Sequence, residues 1–218
     1  MAYYRLDDDS FAFPPAEEAD DDGLVAVGGD FRPERLLNAY ASGIFPWPVE
    51  KDCPITWFSP DPRFVLMPQD LHIPKSLVKT LRKGLFEYKV DGAFQEVIHA
   101  CSSVPRPGQD GTWITDDLER GYCELNRLGF AHSFEAWRNG ELVGGFYGVT
   151  IRHCFFGESM FAKVPDASKC AFATFARWMF DQGVPWIDCQ VHTDHLARFG
   201  AKEIPRSEYL QLLSSALG

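Results

Sequence analysis

Alternation between apolar and polar residues is strongest in the second half of the chain, from residue 131 onward. AHSFEAWR and ELVGGFYGVT flank the pair Asn139-Gly140, and both runs change face at every second residue. Asn-Gly accepts the positive φ angles of a tight type I′ turn, so this pattern predicts a β-hairpin. A third run, IRHCFFGE, follows at once and predicts a neighbouring strand.

Helical periodicity occurs on both sides of this hairpin. Pro33 suits a first helical position and Gly43 an end, which predicts a helix between them. Residues 113–129 predict an amphipathic helix with Thr115 as its N-cap, and a long apolar helix is expected over 166–183. The other expected elements are a strand or tight turn at 23–30, strands at 86–90 and 186–191, and helices at 73–84, 93–101, 194–200 and 207–217.

The succession of three strands, a long helix and a further strand after residue 131 favours an α+β fold, with helices packed on a mixed sheet. Upstream, residues 43–68 hold six prolines and two tryptophans. Proline donates no ladder hydrogen bond, so this stretch is predicted to be an irregular, rigid connector. It is expected to divide the chain into a small N-terminal domain, residues 1–60, and a larger domain, residues 61–218.

The composition is that of a globular protein, with 218 residues, 45% hydrophobic residues and a net charge of −10. This charge argues against nucleic-acid binding through the whole surface. One predicted helix is basic, because Lys75, Lys79, Arg82 and Lys83 lie at helical spacings; a solvated face and a local binding patch are both open. Six scattered cysteines and an acidic N-terminus, unlike a secretion signal, predict reduced thiols in the cytoplasm. No apolar run reaches the ~20 residues that span a bilayer.

Two polar residues interrupt the apolar strand WIDCQV. Alternate residues of a strand share a face, so Asp188 and Gln190 are predicted to point the same way, with Ile187, Cys189 and Val191 on the opposite side. A carboxylate inside a sheet costs several kcal/mol unless it is paired or reaches a cleft. Asp188 is therefore either satisfied structurally or active in chemistry.

A metal site next to this strand is the weaker interpretation. Cys189 is expected to point away from His192 and His195, and Asp194 is expected to cap the helix that follows. The sequence contains neither HExxH nor a paired CxxC motif, so we predict no metal and no cofactor.

Further candidates lie in the neighbouring segments. Glu158, in FFGESMF, is expected at the end of a strand, where ligands often bind, although a surface glutamate in a turn is an equal alternative. Phe172 and Phe175 belong to an aromatic stripe on the long helix, which is typical of a core and also suits an apolar pocket. Trp47 and Trp113 lie beside loops, where an exposed indole offers a face on which a nucleobase can stack.

Taken in order, GGD, AYASGIFPWP, WFSPDPR, GTWIT, LGFAHSFEAW, LVGGFYG, GESMF, ASK and IDCQ resemble the bacterial leucyl/phenylalanyl-tRNA–protein transferases, from about residue 11 to residue 212. The resemblance implies transfer of Leu or Phe, with Met as a third candidate, from tRNA to the α-amino group of proteins that begin with Arg or Lys. This transfer tags the acceptor for degradation. The resemblance also implies a small N-terminal α/β domain and a larger N-acetyltransferase-like domain. We expect a monomer that does not bind membranes.

The resemblance also implies roles for the individual residues that lie in the matching motifs. It implies a catalytic group of Asp188, Gln190 and Glu158. Lys75, Lys79, Arg82 and Lys83 would meet the tRNA acceptor stem. Some relatives carry Met at position 146 and Leu at position 172, where this chain has Phe, so the preference between Leu and Phe stays open. The implied aminoacyl-adenosine site holds Trp47, Trp113, Phe146, Met160, Ser168, Phe172 and Phe175.

Two other functions remain open. An acyl-CoA-dependent N-acetyltransferase would share the fold, but such enzymes cradle the CoA pyrophosphate with a glycine-rich loop, and no glycine lies between Gly157 and Gly183. A non-catalytic tRNA-binding protein would not need Asp188 and Gln190 inside a sheet. In the transferase interpretation, Asp188 acts through Gln190 on the acceptor amine, which attacks an ester that is already activated. Glu158 would bind the cationic N-terminus or the ribose.

Overall fold

The computed structural model describes residues 4–7, 9–47, 53–104 and 114–218. Its strands are β1 (Tyr4–Leu6), β2 (Leu24–Gly28), β3 (Phe45–Pro46), β4 (Thr56–Phe58), β5 (Arg63–Leu66), β6 (Glu87–Val90), β7 (Ala131–Arg138), β8 (Glu141–Ile151), β9 (Cys154–Ala162), β10 (Ile187–Gln190) and β11 (Lys202–Ile204). Its α-helices are α1 (Pro33–Ala41), α2 (Lys75–Arg82), α3 (Phe94–Ser103), α4 (Asp116–Arg127), α5 (Ala167–Asp181), α6 (Asp194–Ala197) and α7 (Arg206–Leu217).

The strands form two sheets. A four-stranded sheet, in the order β1-β2-β4-β3, comes from the first part of the chain. The larger sheet has seven strands in the order β11-β5-β10-β9-β8-β7-β6. Its neighbours run antiparallel except for β9 and β10, which are parallel. Helices pack on both faces of this mixed sheet, so the predicted α+β class is confirmed.

The proline-rich stretch at 43–68 is not the irregular connector that its composition predicts. Its described part contains β3, β4 and β5, and β5 lies inside the larger sheet between β11 and β10. Most of the prolines flank these short strands instead of interrupting them. Pro46 lies within β3, which is an edge strand, where the missing N–H costs no ladder hydrogen bond. The predicted boundary at residue 60 falls between β4 and β5, in different sheets, and stays a prediction.

Local signals specify the hairpin and the start of α4 as predicted. Asn139 and Gly140 both have positive φ angles, of 54° and 81°, as the type I′ turn between β7 and β8 requires. The Thr115 hydroxyl accepts a hydrogen bond from the Leu118 N–H at 3.2 Å and so caps α4. The hairpin lies beside the central strand β9, which carries Glu158, and β8 pairs with that strand.

Two apolar clusters lie against the larger sheet. One is formed by α5 and α2 with strand residues that include Phe155 and Ile187. The other joins α1, α3, α4, α7 and the four-stranded sheet to residues such as Phe156 and Trp186. Burial of each such side chain contributes about 1.5–3 kcal/mol. All six cysteines are free thiols, and within the described ranges no helix has the length and apolar content that crossing a bilayer requires.

Candidate active site

The larger sheet opens between its two parallel strands. β9 and β10 pair through Ile187 with Phe155 and Asp188 with Phe156, and the pairing ends there. β9 changes register against β8 at this level, so Glu158 lies opposite no residue of β8. β10 changes register against β5 after Asp188. Such bulges re-aim side chains and are frequent next to active sites, and here two of them border one gap.

Glu158 lies in the middle of β9 and not at the end of a strand, because β9 continues past the bulge to Ala162. The side chain is half-buried, so the alternative of a surface glutamate in a turn is wrong. Three groups lie at hydrogen-bond distance from its carboxyl group: Tyr40 Oη at 2.7 Å, Tyr122 Oη at 3.0 Å and Gln190 Nε2 at 2.8 Å. The two buried tyrosine hydroxyls are also hydrogen-bonded to each other.

This environment makes Glu158 hold its proton more tightly than an exposed glutamate does. Burial is the main cause that raises the pKa of the carboxyl, the nearby charge of Asp188 acts in the same direction, and the net pKa is about 8. The hydrogen bonds from Tyr40, Tyr122 and Gln190 lower the pKa but do not offset burial. Glu158 therefore titrates near neutral pH, which is the range that suits proton transfer.

Gln190 is fixed at both its backbone and its side chain. Its φ angle of 62° lies in the left-handed region, which is uncommon for a residue with a side chain and recurs at functional sites. Its N–H donates to Asp188 Oδ1 at 2.9 Å, and its Nε2 donates to Glu158 Oε1. Because the nitrogen of the carboxamide faces Glu158, the oxygen is directed elsewhere, and within the described part of the chain no group donates to it.

Asp188 is fully buried and both its oxygens are occupied. Arg63 Nε donates to Oδ1 at 2.9 Å, Arg63 Nη2 donates to Oδ2 at 2.5 Å, and Tyr209 Oη donates to Oδ2 at 2.9 Å. Arg63 is also buried; burial alone would lower its pKa, but Asp188 and then Tyr209 outweigh burial and raise it. Asp188 is thus a charged anchor whose remaining contact, to the Gln190 N–H, sets the position of that residue.

A cavity of about 350 Å³ lies beside this polar network. Phe146 of β8 and Phe172 of α5 form an apolar corner, with ring centroids 5.6 Å apart. Glu158 and Gln190 lie at the polar side of the same cavity. The lining comprises Phe146, Tyr147, Phe155, Gly157, Glu158, Ser159, Met160, Phe172, Ile187, Asp188, Cys189, Gln190, Val191, Thr193, His195 and Leu196.

The cavity brings together six of the residues implied for the site, while two residues of the long helix α5 that were implied with them lie outside its lining. Glu158, Asp188, Gln190, Phe146, Met160 and Phe172 lie in its lining. Phe175 is outside the lining, because it packs behind Phe146 at a centroid distance of 6.3 Å. Ser168 lies one helical turn before Phe172 and is also outside the lining, since it packs against Gly144 of β8.

The two tryptophans and the basic helix lie elsewhere. Trp47 is 40% exposed and is not part of the cavity lining; its ring is 6.4 Å from Phe45, and Phe45 packs on Arg63 at 4.8 Å. Trp113 lies outside the described residues. The four cationic side chains of the basic helix are all exposed, three of them on α2 and the fourth just after it: Lys75, Lys79, Arg82 and Lys83.

Four residues that hold the site were not singled out from the sequence. Tyr40 and Tyr122 fit the apolar stripes of their helices, and the sequence does not show that their hydroxyls meet at one carboxylate. Arg63 begins the apolar strand RFVL, and this position could have been recognised in the sequence: an arginine in a buried strand requires a buried acid as its partner. Tyr209 has no comparable signal.

The start of α6 differs from its prediction. The helix is capped by Thr193, whose hydroxyl accepts from the Leu196 N–H at 3.3 Å, so the prediction of Asp194 as the cap is wrong. The cap falls one residue earlier because α6 itself begins at Asp194. Within the described ranges, no three His, Cys, Asp or Glu side chains are grouped so that they could hold a metal ion.

Comparison with known proteins identifies relatives along the whole chain. The family model for the leucyl/phenylalanyl-tRNA protein transferase matches residues 65–214, and the model for the N-terminal domain of that transferase matches residues 29–61. The leucyl/phenylalanyl-tRNA–protein transferase of Myxococcus xanthus is 57% identical over 218 residues, covering 100% of this chain and 93% of that protein. The protein of the same name from Nitratidesulfovibrio vulgaris (strain DP4) is 51% identical over 216 residues, covering 99% of this chain and 92% of that protein.

A solved structure gives a weaker likeness. A GCN5-related N-acetyltransferase-like protein from Streptococcus suis superposes with a TM-score of 0.38 at 15% identity. The match covers 65% of this chain and 59% of that chain. This likeness is too weak to bear on the site.

Proposed function

We propose that this chain, which belongs to the leucyl/phenylalanyl-tRNA–protein transferase family, moves Leu or Phe from aminoacyl-tRNA to the α-amino group of an acceptor protein. The observation that carries the proposal is the junction of an apolar cavity with the Glu158–Gln190 pair. An apolar amino-acid side chain fits the first part, and the ester that links it to tRNA then lies beside the second. Acceptors that begin with Arg or Lys, a third substrate in Met, a cytoplasmic location and a monomeric state belong to the same proposal.

The polar side of the cavity suits attack by an amine on an ester. The ester is already activated, so the protein needs no nucleophile of its own, and positioning can contribute about 7–11 kcal/mol. The carboxamide oxygen of Gln190 accepts a hydrogen bond from the acceptor amine and orients its lone pair towards the ester carbon. The amine forms the new C–N bond, the ribose oxygen leaves, and one proton passes from the nitrogen to that oxygen.

Glu158 and Asp188 have different roles in this reaction. Glu158 titrates near pH 8, close to the pKa of about 7.7–8.0 of an α-amino group, so proton exchange between the two is nearly balanced. Asp188 touches Gln190 and the anchor groups, and we assign it as a positioning residue. It holds the strand bulge at which Gln190 turns towards Glu158.

We further propose that the tRNA lies across the exposed basic helix and Trp47. An exposed indole offers a stacking face worth about 1–3 kcal/mol to a base, and Trp47 with Trp113 would hold the terminal adenosine. Lys75, Lys79, Arg82 and Lys83 add positive charge in a chain with a net charge of −10. Contacts of this kind release counterions, so binding weakens as salt increases.

The acyl-CoA alternative is disfavoured at the start of α5. Such enzymes would use the helix N-terminus to bind a pyrophosphate. Here Asp166 occupies the N-cap position with a φ angle of 64°, and its carboxylate is engaged by Lys169 and by the Thr80 hydroxyl, each at 3.4 Å. No glycine-rich loop precedes the helix in the sequence, which reads KVPDASK.

A transfer assay tests the proposal directly. The protein is incubated with radiolabelled Phe-tRNA and an acceptor protein that begins with Arg, with the same acceptor beginning with Ala as the matched control. We expect label on the Arg acceptor and at most a trace on the control. Radiolabelled acetyl-CoA, tested in parallel, should give no product. Acetyl transfer without phenylalanyl transfer would replace the proposal with the acyl-CoA alternative, and binding of tRNA without either transfer would replace it with a non-catalytic role.

A further inference from the structure

His195 has a buried ring nitrogen that the network around Glu158 does not use. The residue lies in the cavity lining, and its ring packs edge-on against Phe199 at 5.4 Å. Its Nε2 is shielded from solvent and makes no hydrogen bond with any described residue. A buried polar atom without a partner is destabilising, and a catalytic role is one of the explanations for such an atom. A group of the substrate would satisfy it.

The charges around His195 indicate which group that is. Burial, and after it the positive charges of Lys169 and Arg198, lower the pKa of the imidazole to about 4. The ring is therefore neutral at physiological pH and carries one N–H. These two cations, of which Lys169 also pairs with Asp166 at 3.4 Å, disfavour an ammonium group at this point and favour developing negative charge. A neutral imidazole in a positive field is suited to polarise a carbonyl as a hydrogen-bond donor.

An aminoacyl ester offers few groups that match this donor. The side chain is apolar and fits the corner between Phe146 and Phe172. The acceptor amine requires a hydrogen-bond acceptor, which Gln190 supplies. The ester carbonyl oxygen accepts hydrogen bonds and becomes negatively charged when the amine adds to the carbon.

We propose that His195 Nε2–H donates a hydrogen bond to the ester carbonyl oxygen and stabilises that oxygen in the tetrahedral intermediate. The amine nitrogen forms a bond to the carbonyl carbon, and the π electrons move to the oxygen. These electrons then return as the bond to the ribose oxygen breaks, and that oxygen receives the proton lost by the amine. His195 neither gains nor loses a proton. This inference rests on the proposed function, because it assigns a further residue to the same reaction.

The test compares two stable analogues of phenylalanyl-adenosine, one with a planar amide and one with a tetrahedral phosphonate at the carbonyl position. The variants are His195→Phe, which removes the donor, and His195→Gln, which keeps an N–H. The control is His192→Phe, three positions earlier, which is exposed and outside the cavity lining. The dissociation constants of both analogues and the kcat for phenylalanyl transfer are measured for each protein.

We expect the wild type to prefer the phosphonate, and His195→Phe to lose at least 10-fold of that preference while its affinity for the planar amide changes less than 3-fold. The kcat should fall by about 10²-fold, the magnitude typical for loss of one such donor. His195→Gln should retain more of both quantities than His195→Phe, and His192→Phe should behave as the wild type.

Other outcomes overturn the inference in distinguishable ways. An unchanged analogue preference in His195→Phe, or an equal loss of affinity for both analogues, rejects it while the proposed function stands. A wild type that transfers no amino acid and binds neither analogue rejects both. If His195→Phe does not fold, the unaltered protein labelled with ¹⁵N-histidine decides: the phosphonate must shift the His195 Nε2 resonance more than the amide does, and equal shifts reject the inference.

Discussion

Replacement of Asp188 with Asn is expected to destabilise the protein strongly, apart from any effect on the reaction. Asp188 and Arg63 are both fully buried, and the guanidinium donates to both carboxylate oxygens at 2.9 and 2.5 Å. Asn offers one oxygen and no charge, so the Arg63 charge would be left uncompensated in the core. Removal of one partner from a buried ion pair costs about 3–5 kcal/mol. We expect the free energy of unfolding, measured by urea denaturation at pH 7, to fall by that amount.

A matched double variant, Arg63→Met with Asp188→Leu, separates this stability effect from the chemistry. Buried ion pairs that are replaced by apolar residues of similar volume are often neutral in stability or improve it. The free energy of unfolding of the double variant should therefore lie within about 2 kcal/mol of the wild-type value. Its transfer activity should nevertheless fall well below that of the wild type, because leucine at position 188 leaves the Gln190 N–H without its acceptor.

Two results would refute this reasoning. If the free energy of unfolding of Asp188→Asn is within about 1 kcal/mol of the wild-type value, the Arg63–Asp188 pair contributes less to stability than a buried ion pair is expected to. If the double variant is both stable and fully active, Asp188 does not place Gln190. Tyr209→Phe gives an intermediate case, because it removes one hydrogen bond to Asp188 and leaves the ion pair, and should cost about 0.5–1.5 kcal/mol.

Three further predictions concern the rest of the site. The pKa of Glu158 is about 8 in the folded protein against an ordinary value of 4.5, so between these two pH values the folded protein keeps a proton that the unfolded chain releases. The free energy of unfolding should therefore fall as pH rises from 4.5 to about 8. Urea unfolding at several pH values should show a weaker pH dependence for Glu158→Gln than for the wild type. Phe172→Leu should enlarge the cavity and raise the ratio of kcat/KM for Phe-tRNA over Leu-tRNA about 10-fold. The double charge reversal Lys79→Glu with Arg82→Glu should raise the KM for Phe-tRNA and weaken its salt dependence.

Each of these three predictions has a control. A pH dependence as steep in Glu158→Gln as in the wild type would mean that another group titrates. Phe175→Leu, on the same helix as Phe172 but outside the cavity lining, should leave the Phe/Leu ratio unchanged, and an equal shift in both variants would contradict the cavity assignment. Reversal of Arg127 and Arg138, which are exposed on other elements, should leave the KM unchanged; an equal rise there would point to net charge and not to the basic helix.

The sequence predicted elements better where local chemistry decides them. The Asn139-Gly140 turn, the Thr115 cap and the long helix over residues 166–183 are set by neighbouring residues, and all three are present in the structure. The strands inside the proline-rich stretch were missed, because pairing of β5 with β10 and β11 depends on residues more than one hundred positions away. Tertiary context of this kind overrides local propensity.

In the candidate site too, features that depend on neighbouring residues could be predicted, and features that depend on distant residues could not. Asp188, Gln190 and Glu158 could be identified as unusual, since polar residues in apolar strands require a reason. Their partners could not, because hydrogen bonds that link residues 21 to 125 positions apart leave no periodic trace in the sequence. The two bulges that bring Glu158 and Gln190 within 2.8 Å are also invisible to strict alternation, because each inserts a residue that breaks the period of two.

The order of the strands explains why the carboxyl group of Glu158 has a pKa of about 8. β5, β10 and β9 are adjacent, and they carry a polar row that runs from Arg63 through Asp188 and Gln190 to Glu158. At one end of the row, the positive charge of Arg63 is paired with the carboxylate of Asp188. At the other end, Glu158 receives hydrogen bonds from Tyr40 and from other neutral donors only, and among the described residues no cation lies within ion-pair distance of it. One end of the row is therefore a fixed anchor, and the other end is able to exchange a proton with a bound amine.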